Sequence, residues 1–310
     1  MMKQAIIFLL LGCLMLPARA QNKSENMDRI DLCKQNYTAL FGGEALTGEG
    51  TDPEFMAILQ KFIFGEVFAM GDLDRSTREL ITCTVLSVMQ TLPQLKAHAA
   101  AALQVGVKPI ELREAVYQCA PFIGFPKILN AIGVINEVFR EKGISLPLEN
   151  QATTTEEDRY EKGHAIQHPL YGDEIAEKMA DVPGGMGDDV ARFLTAYCFG
   201  DIYTRGGLDV KTRELLIYCV LTTQGADAQL LPHALSNLKL GTSRETLVAA
   251  VIQCLPYVGF PPALKALNVI KSIDPKVIEA SNPHCATSRT RLLIIVVNRS
   301  FQSIVFPEYG

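Results

Sequence analysis

An internal duplication is the feature that most constrains this chain. Residues 64–135 recur as residues 199–270 without a gap, so that Glu79 corresponds to Glu214 and His98 to His233 at one constant offset, called here the repeat offset. Short motifs make the match plain: FGEVF at 64–68 with FGDIY at 199–203, TREL at 77–80 with TREL at 212–215, and QCAPFIGFP at 118–126 with QCLPYVGFP at 253–261. Solenoid repeats have much shorter periods, so the duplication predicts two domain-sized copies of one fold.

Both copies predict helices throughout. Helix starts are indicated by capping residues and by prolines at first-turn positions, which are Asp52 with Pro53, Asp74 or Ser76, Pro93, Pro109 and Pro126, and in the second copy Asp209 and Ser243. No segment of either copy shows sustained period-two alternation, so strands are not predicted there. We expect an all-α fold of two tandem helical domains, at 28–145 and 159–278, joined by a polar linker at 146–158.

The two ends of the chain differ from the rest. Lys3, an apolar stretch at 5–16 and the small residues Ala18 and Ala20 are typical of a secretory signal peptide at 1–20. The apolar stretch is too short for a membrane span. We therefore expect a periplasmic or secreted protein; lipidation at Cys13 is the less favoured alternative. Residues 279–310 predict an irregular tail, in which 292–297 is β-prone and could add one edge strand.

Composition limits the classes of ligand and partner that this protein is expected to bind. A net charge of −5 without any basic run argues against nucleic acid, and 48% apolar against 20% charged residues suits a globular protein with real cores. The eight cysteines form no CxxC pair and no Cys/His cluster, so no metal is expected. Those in apolar helical patterns are expected to be buried free thiols: Cys83, Cys119, Cys219 and Cys254.

The repeated motifs carry a family resemblance. An aromatic residue, Gly and an acid at 64–66 and 199–201, Leu-Asp-x-x-Thr-Arg at 73–78 and 208–213, a histidine about twenty residues on and Gly-x-Pro together resemble the carboxymuconolactone decarboxylase family. The second copy is the more similar, over about 159–273; the first matches more loosely, over about 32–141. The resemblance implies a compact helical fold, often assembled as a ring of six domains, so this tandem chain is expected to be a homo-oligomer, with three chains completing a pseudo-hexameric ring.

The resemblance also implies a reaction. The family removes carbon dioxide from a carboxylated lactone, a small-molecule substrate, without metal or organic cofactor. A related branch, the alkylhydroperoxidase D-like proteins, performs thiol peroxide chemistry with a CxxC pair that lies between a Glu and a His. The matching positions here are Thr91 and Gln94 in the first copy and Ala226 and Gln229 in the second, which excludes thiol catalysis by that route.

The candidate catalytic residues are Glu79 with His98 and Glu214 with His233, at the same spacing in both copies. Decarboxylation leaves electron density that must be protonated on carbon, which suits a histidine titrating near neutrality and held by a carboxylate. Other interpretations remain open: Ser76-x-x-Glu79 fits a helix capping box, the glutamates could form structural ion pairs, and the histidines could be core residues. Lys211 replaces Ser76 in the second copy while Glu214 stays, which weakens the capping interpretation.

Three arginines are candidate substrate-binding residues. Arg205 matches a family arginine expected to face the anionic substrate, and a guanidinium is a natural clamp for a carboxylate. The first copy has Met70 at that position, so the copies are not equivalent. Arg78 and Arg213, each one residue before its glutamate, could bind an anion or form ion pairs. His164 and His168 have no counterpart in the first copy and are expected at the surface.

The leading hypothesis is an exported, cofactor-free decarboxylase-like enzyme. One alternative is peroxiredoxin-like thiol chemistry that uses Cys119 and Cys254. Another, from a different class, is a non-catalytic helical ring that binds a small ligand.

Overall fold

The computed structural model describes residues 28–274, and every regular element in that range is a helix. The elements of the first copy are α1 (Arg29–Phe41), α2 (Pro53–Gln60), which continues as a π-helix (Lys61–Glu66) and a 3-10 turn (Val67–Ala69), α3 (Arg75–Met89), α4 (Leu92–Gln104), α5 (Pro109–Tyr117), α6 (Ala120–Ile123) and α7 (Phe125–Glu141).

The second copy repeats this order. Its elements are α8 (Arg159–Tyr171), α9 (Glu174–Met179), a 3-10 turn (Pro183–Gly185), α10 (Met186–Phe193), which continues as a π-helix (Leu194–Tyr203), α11 (Val210–Gln224), α12 (Asp227–Lys239), α13 (Arg244–Val258) and α14 (Phe260–Ser272). Helices α11, α12, α13 and α14 begin at the repeat offset from α3, α4, α5 and α7 respectively, which confirms the duplication in the fold. The all-α prediction is confirmed for the described residues.

Local sequence explains the helix starts. The side chains of Asp74 and Asp209 accept hydrogen bonds from the backbone of Thr77 and Thr212, and the Ser243 hydroxyl accepts one in the same way at α13. Ser76 does not cap: its hydroxyl donates to the carbonyl of Val105. The capping-box interpretation of Glu79 is therefore wrong, because Ser76 Oγ is engaged elsewhere.

The aromatic-Gly-acid motif is explained by a close helix crossing. Helix α1 packs on the π-helix of the first copy, and α8 on that of the second. A Cβ atom at Gly65 would overlap the carbonyl oxygen of Arg29, and one at Gly200 would overlap that of Arg159. The acid after each glycine, Glu66 or Asp201, forms an ion pair with the same arginine. These contacts align α1 with α8, so that Arg29 corresponds to Arg159. The sequence separation of these two residues is slightly shorter than the repeat offset.

One hydrophobic core runs through both copies. Helix α3 packs against α11 and α13 of the other copy, and the buried cluster around them draws residues from both repeats. The predicted linker at 146–158 contains no helix and contacts both copies. The Glu149 carbonyl accepts a hydrogen bond from Arg113 of the first copy, and the Gln151 carbonyl accepts one from the Gly206 amide of the second. The two copies therefore form a continuous body.

The predicted signal peptide at 1–20 and the tail at 279–310 lie outside the described residues. Within 28–274, none of the helices has the length and apolar character that crossing a membrane requires.

Candidate functional site

The first Glu–His pair joins two consecutive helices of the first copy. Glu79 lies on α3 and is fully buried, and its Oε2 atom is 2.8 Å from Nδ1 of His98 on α4. His98 is 8% exposed and packs edge-on against the ring of Phe41. The predicted contact between these two residues is therefore present.

The second pair repeats this geometry. Glu214 on α11 is fully buried, and its Oε2 atom lies 3.0 Å from Nδ1 of His233 on α12, which is 9% exposed. Because the same two residue types meet in both copies, the pairing is a property of the repeated fold.

An aromatic ring from the opposite copy completes each pair. Tyr257, on α13, packs edge-on against His98, and Phe122, on α6, packs edge-on against His233. These two aromatic residues are themselves related by the repeat offset, so each copy contributes the equivalent residue to its neighbour's site. Both sites therefore lie where the copies meet, which the sequence did not predict.

Two tyrosines distinguish the second site from the first. Tyr171, at the end of α8, donates its hydroxyl to Glu214 Oε2 at 2.7 Å and lies 2.9 Å from His233 Nδ1. Tyr203 donates to Glu214 Oε1 at 2.8 Å. Burial and the nearby charge of Glu214 raise the pKa of both tyrosines above the usual range, so both hydroxyls keep their protons and act as donors.

Phenylalanines occupy the equivalent positions of the first site. Phe41 corresponds to Tyr171 in the alignment of α1 with α8, and Phe68 corresponds to Tyr203 at the repeat offset. As a result, Glu79 Oε1 is buried and has no hydrogen-bond partner within the described residues. Inside the gap-free repeat, the sequence signals this difference through Phe68, which stands where the second copy has Tyr203.

Arg205 forms an ion pair with a carboxylate of the other copy. Its Nε and Nη2 atoms donate to the two oxygens of Glu114 on α5, at 2.8 and 3.0 Å, and Glu114 is fully buried. The carboxylate that Arg205 holds thus belongs to the other copy of the same chain. In this structure the Arg205 guanidinium forms an ion pair between the copies, whereas the sequence led us to expect a clamp for the substrate carboxylate.

Arg78 and Arg213 also lie at junctions between the copies. Arg213 donates to the carbonyl oxygens of Arg205 and Gly206 and lies 3.4 Å from Glu114. Arg78 donates to Gln253 of the other copy and to carbonyls of its own, and burial lowers its pKa to about 10. Both side chains are essentially inaccessible to solvent, which argues for structural roles instead of anion binding.

The thiols lack the features of reactive cysteines. Cys119 and Cys254 are fully buried, and each Sγ donates to the backbone carbonyl four residues earlier in the chain. Burial raises the pKa of both thiols, so little thiolate forms at neutral pH. This supports the prediction that both cysteines serve helix packing.

Two clefts of the described residues lie away from the Glu–His pairs. The larger, of about 450 Å³, lies where Met70 and Gly71 face Val248 and Ala249 of the other copy. The smaller, of about 270 Å³, lies beside α8 and includes His164 and Asp173. The candidate catalytic pairs line neither of them.

Comparison with known proteins matches both copies. The sequence model of the carboxymuconolactone decarboxylase family matches residues 53–137 and 188–272. A 4-carboxymuconolactone decarboxylase of Acinetobacter baylyi is 33% identical over 92 residues, which is 30% of this chain and 69% of that protein. An uncharacterised 15.0 kDa protein of Paracoccus denitrificans is 30% identical over 92 residues, 29% of this chain and 69% of its own length. A nitrosuccinic acid decarboxylase of Metarhizium robertsii is 27% identical over 84 residues, 27% of this chain and 59% of its own length.

Proposed function

Because the chain belongs to the carboxymuconolactone decarboxylase family, we propose that it removes carbon dioxide from a small carboxylated lactone or a related acid by acid/base chemistry without a cofactor. The observation that carries the proposal is the buried Glu–His hydrogen bond that both copies repeat, between Glu79 and His98 and between Glu214 and His233. Two relatives named as decarboxylases support the same class of reaction.

The chemistry follows from the atoms at the site. When carbon dioxide leaves, a carbon–carbon bond breaks and its electron pair stays on the substrate, stabilised by an electron-withdrawing group such as a lactone carbonyl. A proton must then reach carbon, and a protonated imidazole is a suitable donor near neutral pH. Every hydrogen bond that we find for His98 and His233 within residues 28–274 runs through Nδ1. In the proposal, the glutamate holds Nδ1–H and Nε2–H delivers the proton.

A turnover assay tests this proposal. The full chain should release one carbon dioxide per acid consumed when it is incubated with 4-carboxymuconolactone or with nitrosuccinate, the acids in the names of its relatives. Release is followed by a coupled carbon dioxide assay, with heat-denatured protein as the control. Calorimetric binding of these acids without turnover would instead support a non-catalytic ligand-binding ring. Peroxide consumption that iodoacetamide abolishes would support the thiol alternative.

We also propose that the protein is a homo-oligomer, with three chains forming a ring of six copies, and that it works after export directed by residues 1–20. Apolar side chains exposed at equivalent positions of both copies support the oligomer. Phe125 and Phe260 are each 59% exposed, and Leu129 and Leu264 on the same helices are 66% and 50% exposed. An apolar face that is repeated in this way is typical of a surface that contacts another protein.

Charge placed on this face should dissociate the oligomer. In the variant Leu129→Glu with Leu264→Glu, each new carboxylate would have to be buried unpaired at the interface, so we expect a shift from trimer to single chains in sedimentation velocity. The control, Gln104→Glu with Ala152→Glu, adds the same charge at two other exposed positions. A wild-type protein that sediments as a single chain, or a variant that assembles as the wild type does, would contradict the proposed interface.

A further inference from the structure

We propose that His164, His168 and Asp173 bind one Zn²⁺ ion at the surface of the second copy, at a site separate from both Glu–His pairs. The two histidines are one helical turn apart on α8, so their side chains lie on the same face of the helix. Asp173 follows the end of α8 and faces the same side. Each of the three residues offers one ligand atom, and these atoms all lie within 4.8 Å of one another.

The distances suit a tetrahedral ion. His164 Nε2 lies 3.5 Å from Asp173 Oδ1, and His168 Nε2 lies 3.6 Å from Asp173 Oδ2. Zinc bound at about 2.0–2.1 Å to nitrogen and oxygen places neighbouring ligand atoms about 3.3 Å apart in a tetrahedron. Small rotations of these partly exposed side chains would bring all three ligand atoms to that separation.

The backbone turns Asp173 towards the histidines. Gly172, between α8 and Asp173, has φ 61° and ψ −147°, a conformation that is essentially restricted to glycine. Its amide also donates to the His168 carbonyl at 2.9 Å, which closes the last turn of α8. This corner therefore fixes the spacing of the aspartate from the two imidazoles.

The repeated fold does not require this cluster. In the alignment of α1 with α8, the first copy has Lys34, Thr38 and Gly43 at these positions, which do not form a ligand set. The three ligand residues are thus an addition to the second copy alone. An addition confined to one copy points to a role beyond folding.

The donor set favours a transition ion over magnesium or calcium. Two imidazoles with one carboxylate suit Zn²⁺, whereas magnesium and calcium prefer oxygen ligands. The Tyr160 ring lies nearly parallel to the His164 ring, with 6.2 Å between the ring centroids. His164 and Asp173 also line the 270 Å³ cleft beside α8, which leaves a fourth position open to water or a small anion.

A zinc ion at this place would hold the end of α8. The ligands at His168 and Asp173 bracket Tyr171, whose hydroxyl reaches Glu214 and His233. The ion would therefore stabilise the turn that delivers Tyr171 to the second site. Zinc binding itself does not depend on the proposed reaction and can be measured without substrate.

The experiment is a metal titration of the untagged full chain after treatment with a chelator. We expect one Co²⁺ per chain with the visible absorption of a tetrahedral site, displacement of that absorption by Zn²⁺, and none by Mg²⁺. The variant His164→Gln with His168→Gln should bind Co²⁺ more than about 100-fold more weakly, since even the outer partners of metal ligands are worth about 10–100-fold.

The matched control is His98→Gln with His233→Gln, which should still bind one Co²⁺ because its changes lie in the Glu–His pairs. Circular dichroism checks that both double variants are folded. The proposal is overturned if the wild type shows no saturable Co²⁺ binding, in which case the cluster is a surface ion-pair network. It is also overturned if the His164→Gln, His168→Gln variant binds Co²⁺ as the wild type does.

Discussion

Replacing His233 by glutamine should lower kcat for carbon dioxide release by about 10²- to 10⁴-fold, the usual contribution of a positioned acid or base. Glutamine can still donate to Glu214 but cannot deliver a proton to carbon at neutral pH. The same replacement of His98 should change kcat by less than about twofold, which is small beside that contribution. Steady-state kinetics with whichever acid the wild type consumes gives both values.

The expected inequality rests on the hydrogen bonds of the two glutamates. Glu214 is held by His233, Tyr171 and Tyr203, so the carboxylate and the imidazole that it orients are fixed in place. Glu79 is held by His98 alone, and its buried Oε1 has no partner within residues 28–274. A pre-positioned donor requires less reorganisation during the reaction, which favours the second site.

Tyr171→Phe separates positioning from proton delivery. This change gives the second site the residue that the first site has at Phe41, so kcat should fall while KM changes little. A larger loss from His98→Gln than from His233→Gln would assign the activity to the first site. Equal losses would mean that both sites turn over, and the tyrosines would then have no part in the difference.

The sequence predicted the parts of the fold that depend on local signals and on the duplication. Asp74, Asp209 and Ser243 are the caps that their residue types indicated. The contact of Glu79 with His98 was also predictable, because consecutive antiparallel helices bring such residues together and the second copy repeats the spacing. Helix α1 was not predicted as an element, since its apolar pattern is weak and it lies outside the gap-free repeat.

The partners that cross between copies could not be predicted. Arg205 is far from Glu114 in the sequence, and nothing local distinguishes a guanidinium that binds substrate from one that binds a buried glutamate. The contribution of Tyr171 was hidden for another reason. Its counterpart, Phe41, is not related to it by the repeat offset, so the alignment that identified the repeat does not match the two positions.

Within residues 28–274, the two copies meet at two equivalent junctions, and only one of them contains a buried carboxylate. At one junction, Glu114 forms ion pairs with Arg205 and Arg213 and also with its chain neighbour Arg113. At the equivalent junction, Ala249 takes the place of Glu114 and Met70 that of Arg205. Arg78, which corresponds to Arg213, donates a hydrogen bond to Gln253 there. The chain thus contains one interface with a buried carboxylate and an equivalent interface without one, so the contribution of that carboxylate can be measured.

Replacing Glu114 by alanine should lower the free energy of unfolding by about 3–5 kcal/mol, because breaking a buried ion pair leaves its partner charged and uncompensated. Arg213 is fully buried; burial lowers its pKa, whereas the charge of Glu114 raises it. Urea unfolding at matched protein concentration measures the loss.

Adding Arg205→Met should recover part of the loss, since it removes one of the arginines that Glu114→Ala leaves without a carboxylate. Arg213 can then turn to Gln118, whose side chain is buried without a partner within the described residues. Glu137→Ala, which removes an exposed ion pair to Lys96, is the control and should cost far less, because solvent screens that pair. A loss from Glu114→Ala as small as this control, or no recovery in the double variant, would show that the junction does not depend on the buried charge.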